Sequence, residues 1–399
     1  MSSVLIKGGR IVDPASSLDA VLDLRLRYGA VAEIGAGLDA AGDEVLDAAG
    51  TIVAPGFIDM HVHLRDPGFP EKETIATGTA AAVRGGFTSV ACMPNTNPPL
   101  DDPRVIAAVL RDARALGSCH VYPIGAITRG RRGRHPCDFE ALAKAGAVAF
   151  SDDGDTVDDV RVLRDAAMRA ANLRAPFISH CEPENEIVAR DLRVAAETQK
   201  AWHLAHLSTA AAVDLVREAR ERGVRVTCEA TPHHLTFTNA LLAERGGVAR
   251  VNPPLRDERD VAALRAAVLD GTIDAFASDH APHTREEKEV DVARAAPGFS
   301  GLEVAVGAYA AALPELSLPR FVALLSANPA RILGIPGGTL AIGAPADVTI
   351  FADRGWTVDP ATFLSKGKCT PFAGKVLSRA IVATIVAGIV RYRARELAA

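Results

Sequence analysis

From Pro55 onward the chain alternates short apolar, strand-like stretches with longer helix-like ones, eight times over. This alternation limits the fold more than any other feature. The strand-like stretches are 56–58, 88–93, 120–125, 147–150, 176–180, 202–206, 224–229 and 273–279. Helical texture lies between them at 71–84, 103–116, 138–145, 156–174, 184–199, 209–222 and 258–269. Strand–helix repetition of this kind predicts parallel strands joined by crossover helices, and eight units predict a closed (β/α)8 barrel.

Such barrels place their chemistry at the C-terminal ends of the strands. Here those ends carry His61 and His63, Asn95, Asp153, His180, His206 and Asp279. Histidines scattered through a core would not gather so regularly at one end. Residues 1–54 read instead as short strands with Gly and Pro turns, such as Val4-Leu5-Ile6 before Gly8-Gly9. The same texture returns after 337, in Asp347-Val348-Thr349-Ile350-Phe351 and Ala380–Gly388. We therefore expect a composite β-sandwich from 1–54 and 337–399, flanking a barrel of 55–336.

Composition excludes several classes. The chain is 48% hydrophobic and 23% charged, an ordinary globular balance. A net charge of −5 gives no electrostatic reason to expect nucleic acid. Ala380–Val390 is too short to span a bilayer, and the N-terminus lacks a basic start followed by a long apolar run. The six cysteines contain no Cys-x-x-Cys pair, which fits a reducing cytoplasm.

His61 and His63 are two apart on a strand, so both imidazoles project to one side. A His-x-His pair is often no more than two satisfied polar residues. Together with His180, His206, Asp153 and Asp279 it exceeds what one tetrahedral ion needs and suits two ions bridged by a carboxylate. Zinc in such a site lowers the pKa of a bound water to about 7. Asp279 could act there as general base and return the proton to a leaving nitrogen.

The ordered motifs resemble a known family. They are Asp59-Met60-His61-Val62-His63-Leu64-Arg65-Asp66-Pro67-Gly68, Met93-Pro94-Asn95-Thr96, Ser151-Asp152-Asp153-Gly154, His180-Cys181-Glu182, His206-Leu207-Ser208-Thr209, Thr231-Pro232-His233-His234, Asn252-Pro253-Pro254, Ser278-Asp279-His280-Ala281-Pro282-His283 and Ser365-Lys366-Gly367-Lys368-Cys369. Together they look like a bacterial class I dihydroorotase of the amidohydrolase superfamily, along nearly the whole chain. The resemblance implies a TIM-like barrel, zinc (one or two ions), and reversible interconversion of N-carbamoyl-L-aspartate and L-dihydroorotate in pyrimidine biosynthesis. It also implies roles. His61 and His63 bind one metal with Asp279 nearby, His180 and His206 bind a second, and Asp153 rather than Asp152 bridges. Asp279 is the general acid/base. Arg65, Asn95 and His283 hold the substrate carboxylate, and Asn252 reaches the ring or carbamoyl end. Phe299 and Ser300, within Gly298–Gly301, give backbone contacts.

Two departures matter. Related hydantoinases and allantoinases bridge their metals with a carboxylated lysine at the fourth strand, and here only Lys144 is near, earlier and in a helix. The segment between His180 and His206 is shorter than in many family members, which opens the pocket or leaves room for a partner. The alternatives are therefore a hydantoinase-like or allantoinase-like enzyme, and a non-catalytic or partner-dependent subunit of an aspartate transcarbamoylase complex. A homodimer is also left open. Around the motifs, His233 and His234 read as loop packing, His203 as structural and Cys181 as an inert buried thiol, with metal ligation by Cys181 the lesser reading. The Arg129–Arg134 cluster reads as a solvated loop, or as a surface for an anionic substrate or partner.

Overall fold

The computed structural model describes residues 3–40 and 42–394. Eight parallel strands, β1 (Phe57–Val62), β2 (Phe87–Cys92), β3 (His120–Gly125), β4 (Ala149–Phe150), β5 (Phe177–Ser179), β6 (Trp202–Leu204), β7 (Val226–Ala230) and β8 (Ala275–Phe276), pair in chain order. The ring closes between β1 and the segment after β8. Val62 bridges His280, and His63 N–H donates to the His280 carbonyl at 2.8 Å. Asp59 adds a staple, its carboxylate accepting Ser278 N–H at 3.1 Å.

Strand alternation sorts the apolar residues. Phe57, Phe87, Phe150, Phe177 and Trp202 face outward into the layer of helices. Ile58, Met60, Ala91, Ile124 and Ile178 fill the barrel interior, plugged from below by Ala330 and Leu333. The paired strands are shorter than the sequence suggests. The expected 147–150, 202–206 and 273–279 contract to 149–150, 202–204 and 275–276. Their C-terminal residues leave the ladder to turn inward, His206 at φ 34° and Asp279 at φ 47°.

Helix ends follow local capping. Pro103–Leu116 has the expected bounds: Asp102 accepts Arg104 N–H at 2.8 Å and Pro103 opens the first turn. The expected 71–84 helix begins only at Ile75, after the Thr74 cap, and 156–174 contracts to Val160–Arg169 behind Asp159. Among the described residues five α-helices, Leu241–Arg245, Arg285–Lys288, Ala305–Ala312, Leu318–Leu325 and Ala327–Leu333, lie outside the helical stretches that the sequence predicts. Ala305–Ala312 is buried at every position but Ala311, so it offers no polar face to mark a helical period.

Both chain ends join in one eight-stranded sheet. Its order is Ile389–Arg393, Ala380–Val386, Val348–Ala352, Ile52–Pro55, Val4–Asp13, Leu18–Arg27, Ala30–Gly35, with Glu44–Asp47 paired on Val4–Asp13. The two ends meet where Val348 pairs Pro55 and Phe351 pairs Ile52. Residues 1–2 and 395–399, the outer limits of the expected composite unit, lie outside the described residues. The sheet docks on the barrel through buried hydroxyls: Thr349 Oγ1 donates to Gly86 O and Thr384 Oγ1 to Val83 O, each at 2.6 Å. Gly86 sits at φ 91°, where a Cβ would meet Ile381 Cδ1 at 2.7 Å, so glycine permits this close approach. Among the described residues no helix is long and apolar enough to cross a membrane.

Candidate active site

The His-x-His pair reaches the mouth of the barrel through a break in β1. Ile58 and Met60 point into the interior, yet His61 and His63, of the opposite parity, also turn inward. The strand register shifts between Asp59 and Val62 to allow this, and His61 N–H is held by the Asp59 carboxylate at 3.1 Å. Asp153 arrives on a turn clamped from outside. Asp152 accepts Ile127 and Thr128 N–H at 2.9 and 3.1 Å, while Arg131 donates to the carbonyls of Asp152 and Asp153. Arg131 therefore leaves the exposed arginine loop expected for it, whereas Arg129, Arg132 and Arg134 stay at the surface.

Asp153 is the hub. Its Oδ1 lies 3.3 Å from His61 Nε2 and 3.6 Å from both His180 Nδ1 and His206 Nε2, and its Oδ2 lies 3.5 Å from His63 Nε2. Asp279 Oδ1 is 3.1 Å from His63 Nε2 and 3.6 Å from His61 Nε2. All six residues are buried. Burial alone would push the Asp153 carboxyl up, but His61, His180 and His206 outweigh it and hold it well below the usual range. Asp279 is lowered in the same way, burial being outweighed by His63, His61 and His206. Burial opposes charge on His61 too, yet Asp153, Glu229 and Asp279 raise its pKa well above the ordinary value. So much buried negative charge beside imidazole nitrogen calls for a cation.

The donor atoms fit a divalent metal. His61, His63 and Asp279 each offer a ligand atom within 4.8 Å of the others, and so do His61, Asp153 and His206. His61 belongs to both sets. His61 Nε2 and Asp153 Oδ1, which face each other, have no hydrogen-bond partner although buried. Unpartnered buried nitrogen and carboxylate oxygen is the arrangement that a metal satisfies. His180 sits beside the second set, its Nδ1 3.0 Å from His206 Nε2.

A cavity of about 170 Å³ opens over this cluster, lined by Arg65, Asn95, Asn252, His283, Pro297 and Gly298 among others. Arg65 lies beyond the end of β1 and adopts φ 58°, off strand geometry. Its Nε donates to Pro282 O at 3.2 Å, and Nη2 lies 3.1 Å from His283 Nε2. No carboxylate pairs with it among the described residues. Burial, then Arg65, lowers His283 to about 3, so the ring is neutral. Asn95 Oδ1 lies 2.8 Å from His63 Nδ1, a contact that fixes the ring and leaves Nε2 toward Asp279. Asn252 Nδ2 lies 3.0 Å from His180 Nε2.

The remaining expected residues fall outside the cavity. Phe299 packs on His233 and Phe372, and Ser300 N–H is taken by Cys369 O at 2.9 Å, so only Gly298 of that segment lines the wall. His233 has neither ring nitrogen bonded and is lowered by burial to about 3. His234 bonds the Pro253 carbonyl at 3.0 Å and so holds the turn that bears Asn252. Cys181 lies in the outer apolar layer with its thiol toward Ser179 O, away from the metal ligands. The sequence reading gave Glu229 no role, but it lies 2.9 Å from His61 Nδ1. Its inward parity with Thr227 on β7 was the available signal.

A closed parallel barrel with imidazoles and carboxylates buried at its C-terminal mouth defines the amidohydrolase class, and the amidohydrolase family is matched over residues 52–390. A protein named dihydroorotase from Pelotomaculum thermopropionicum is 47% identical over 96% of this chain and 97% of its own. Another of that name from Aquifex aeolicus is 40% identical over 98% and 100%. The solved L-hydantoinase (dihydropyrimidinase) from Arthrobacter aurescens superposes with a TM-score of 0.88 at 26% identity, covering 98% of this chain and 96% of that one. The chain belongs to the amidohydrolase family and, within it, to the dihydroorotases.

Proposed function

We propose that the protein is a zinc-dependent dihydroorotase, interconverting N-carbamoyl-L-aspartate and L-dihydroorotate. The observation that carries this reading is Arg65: a guanidinium without a carboxylate partner, in the same small cavity as Asp279 and the imidazole cluster. It suits a substrate with a free carboxylate beside the bond that reacts. The fourth strand supports the choice over a lysine-bridged hydantoinase site. Asp153 follows that strand, its carboxylate within 3.6 Å of nitrogens of His61, His63, His180 and His206, where it would bridge two ions, and Lys144 is exposed on the Phe139–Ala145 helix.

His61, His63, Asp153 and Asp279, with His180 and His206, would hold the metal. When bound, zinc supplies Lewis acidity toward the scissile carbonyl and toward an attacking water. The chain's own groups do the rest. Arg65 and His283 hold the carboxylate, and Asn252 orients the opposite end of the ring. In hydrolysis, Asp279 accepts a proton from water at Oδ1 and delivers it to the departing ring nitrogen. In cyclisation the reacting carboxyl takes up one proton from solvent, and Asp279 takes the proton of the carbamoyl nitrogen and gives it to the leaving hydroxide, so that water departs. The cytoplasmic assignment is supported by six cysteines that all remain free thiols.

The test is dihydroorotate hydrolysis by the purified chain, followed by absorbance, with metal analysis on the same sample and hydantoin and allantoin as comparison substrates. The expected result is stoichiometric zinc and chelator-sensitive turnover of dihydroorotate well above the other two. Faster turnover of hydantoin or allantoin would replace this reading. Stoichiometric zinc without turnover until aspartate transcarbamoylase is added would favour the partner-dependent subunit.

A further inference from the structure

Below the His61 side of the cluster, the barrel interior contains three polar side chains that no step above uses: Thr227 and Glu229 of β7 and His203 of β6. The surroundings at this depth are apolar, with Met60 and Ala205 among the neighbours filling the interior. An ionised carboxylate here is costly unless donors surround it. Glu229 is 1% exposed and His203 0%. Glu229 Oε1 lies 2.9 Å from His61 Nδ1 and accepts His206 N–H at 3.3 Å. Its Oε2 lies 3.1 Å from His203 Nε2, and His203 Nδ1 lies 2.8 Å from Thr227 Oγ1.

Proton bookkeeping restricts this chain of contacts. An ionised Glu229 only accepts, so the facing nitrogens of both imidazoles must carry protons. His203 then has its proton on Nε2, and Thr227 donates to Nδ1. A proton on His61 Nδ1 makes Nε2, which faces Asp153 and Asp279 without a hydrogen-bond partner, the atom that a bound cation would take in place of a second proton.

We propose that Glu229, held in place by His203 and Thr227, is the positioning residue of the metal centre: it locks His61 in the tautomer that presents Nε2 and adds a further buried negative charge for a divalent cation. This rests on reading the cluster as a metal centre. A carboxylate behind a ligating imidazole raises its basicity and fixes its ring, and losing such a partner typically costs 10- to 100-fold in metal affinity.

Two substitutions separate orientation from charge. In Glu229→Gln the amide oxygen still accepts from His61. The amide nitrogen then faces His203, which can exchange tautomer because the Thr227 hydroxyl accepts as readily as it donates. Only the charge is lost. Glu229→Met removes both. The measurement is zinc affinity of the full chain by competition with a chromogenic chelator, with far-UV circular dichroism as the check on folding. The expected order is wild type tightest, Glu229→Gln weaker by about 10-fold and Glu229→Met weaker by about 100-fold. Wild-type affinity in both folded variants would overturn the proposal. Should the variants not fold, ring 15N shifts of the zinc-loaded wild-type protein decide. A His61 proton on Nδ1 supports the assignment, and a proton on Nε2 overturns it. A wild-type chain that takes up no zinc would refute the metal centre itself, a result distinct from either.

Discussion

Asp279 and Arg65 face the same cavity with different duties, and their loss should separate cleanly. Asp279→Ala removes the carboxylate beside His63 that is proposed to carry the proton. Turnover should become undetectable while circular dichroism is unchanged, and some zinc should remain because His61, Asp153 and His206 form a second set. Near-normal turnover would remove Asp279 from the proton path. Arg65→Ala should act on binding, raising KM for dihydroorotate with zinc content unchanged. Losing a charge-assisted contact of this kind costs about 1.5–3 kcal/mol, or roughly 10- to 150-fold. Equal loss of zinc and of substrate affinity would show Arg65 to be structural. At this scale residue types and spacing were legible, because chemistry selects His, Asp and Arg wherever they stand. Pairing was not. That Asn95 would set its carbonyl on His63, or that Arg131 would clamp the Asp153 turn, depends on loops whose paths no periodicity encodes.

At the scale of elements, the segment around Gly367 shows how a distant stretch shapes the site. Ser300 Oγ donates to Gly367 O at 2.8 Å, and Ser300 N–H bonds Cys369 O. A Cβ on Gly367 would meet Ser300 Oγ at 2.5 Å and Pro282 Cβ at 2.7 Å. Neither neighbour can yield easily, and Pro282 O is the acceptor for Arg65 Nε. Gly367→Ala should therefore lower stability by about 1–3 kcal/mol, read as a drop in Tm, and also raise KM by displacing Arg65. An unchanged Tm with normal KM would show that the segment adapts. Helices with one polar face and a cap, such as Pro103–Leu116, were readable from sequence to the residue. Ala305–Ala312 was not, since burial on nearly all sides erases the pattern on which such reading depends.

Across the whole molecule, the barrel and the flanking sheet are tied at His120, at the start of β3, whose Nε2 lies 3.1 Å from Asp347 Oδ2. The hydrogen bond to Asp347 is the largest cause of a raised His120 pKa, against the opposing effect of burial. A raised folded-state pKa means stability fully present below the unfolded value of about 6.5 and lost as pH rises through the folded one. His120→Gln should thus lower Tm at pH 5.5 and have little effect at pH 9. With the His120 side chain 37% exposed, solvent screening keeps the contribution below about 1 kcal/mol. A Tm difference that grew with pH would contradict this sign.

The sequence by itself determined the class of architecture and the chemistry at its mouth. Eight alternations of strand and helix have essentially one closed solution, and imidazole and carboxylate side chains at the strand ends gather there once the ring forms. Tertiary structure decided the rest. It broke the alternation of β1 between Asp59 and Val62, so that His61 and His63 share the mouth above inward-facing Ile58 and Met60. It also set Glu229 behind His61 across a sequence separation of 168. Side-chain parity and residue type are local properties that a sequence displays. Register shifts and contacts between distant strands exist only when the closed barrel brings those strands together.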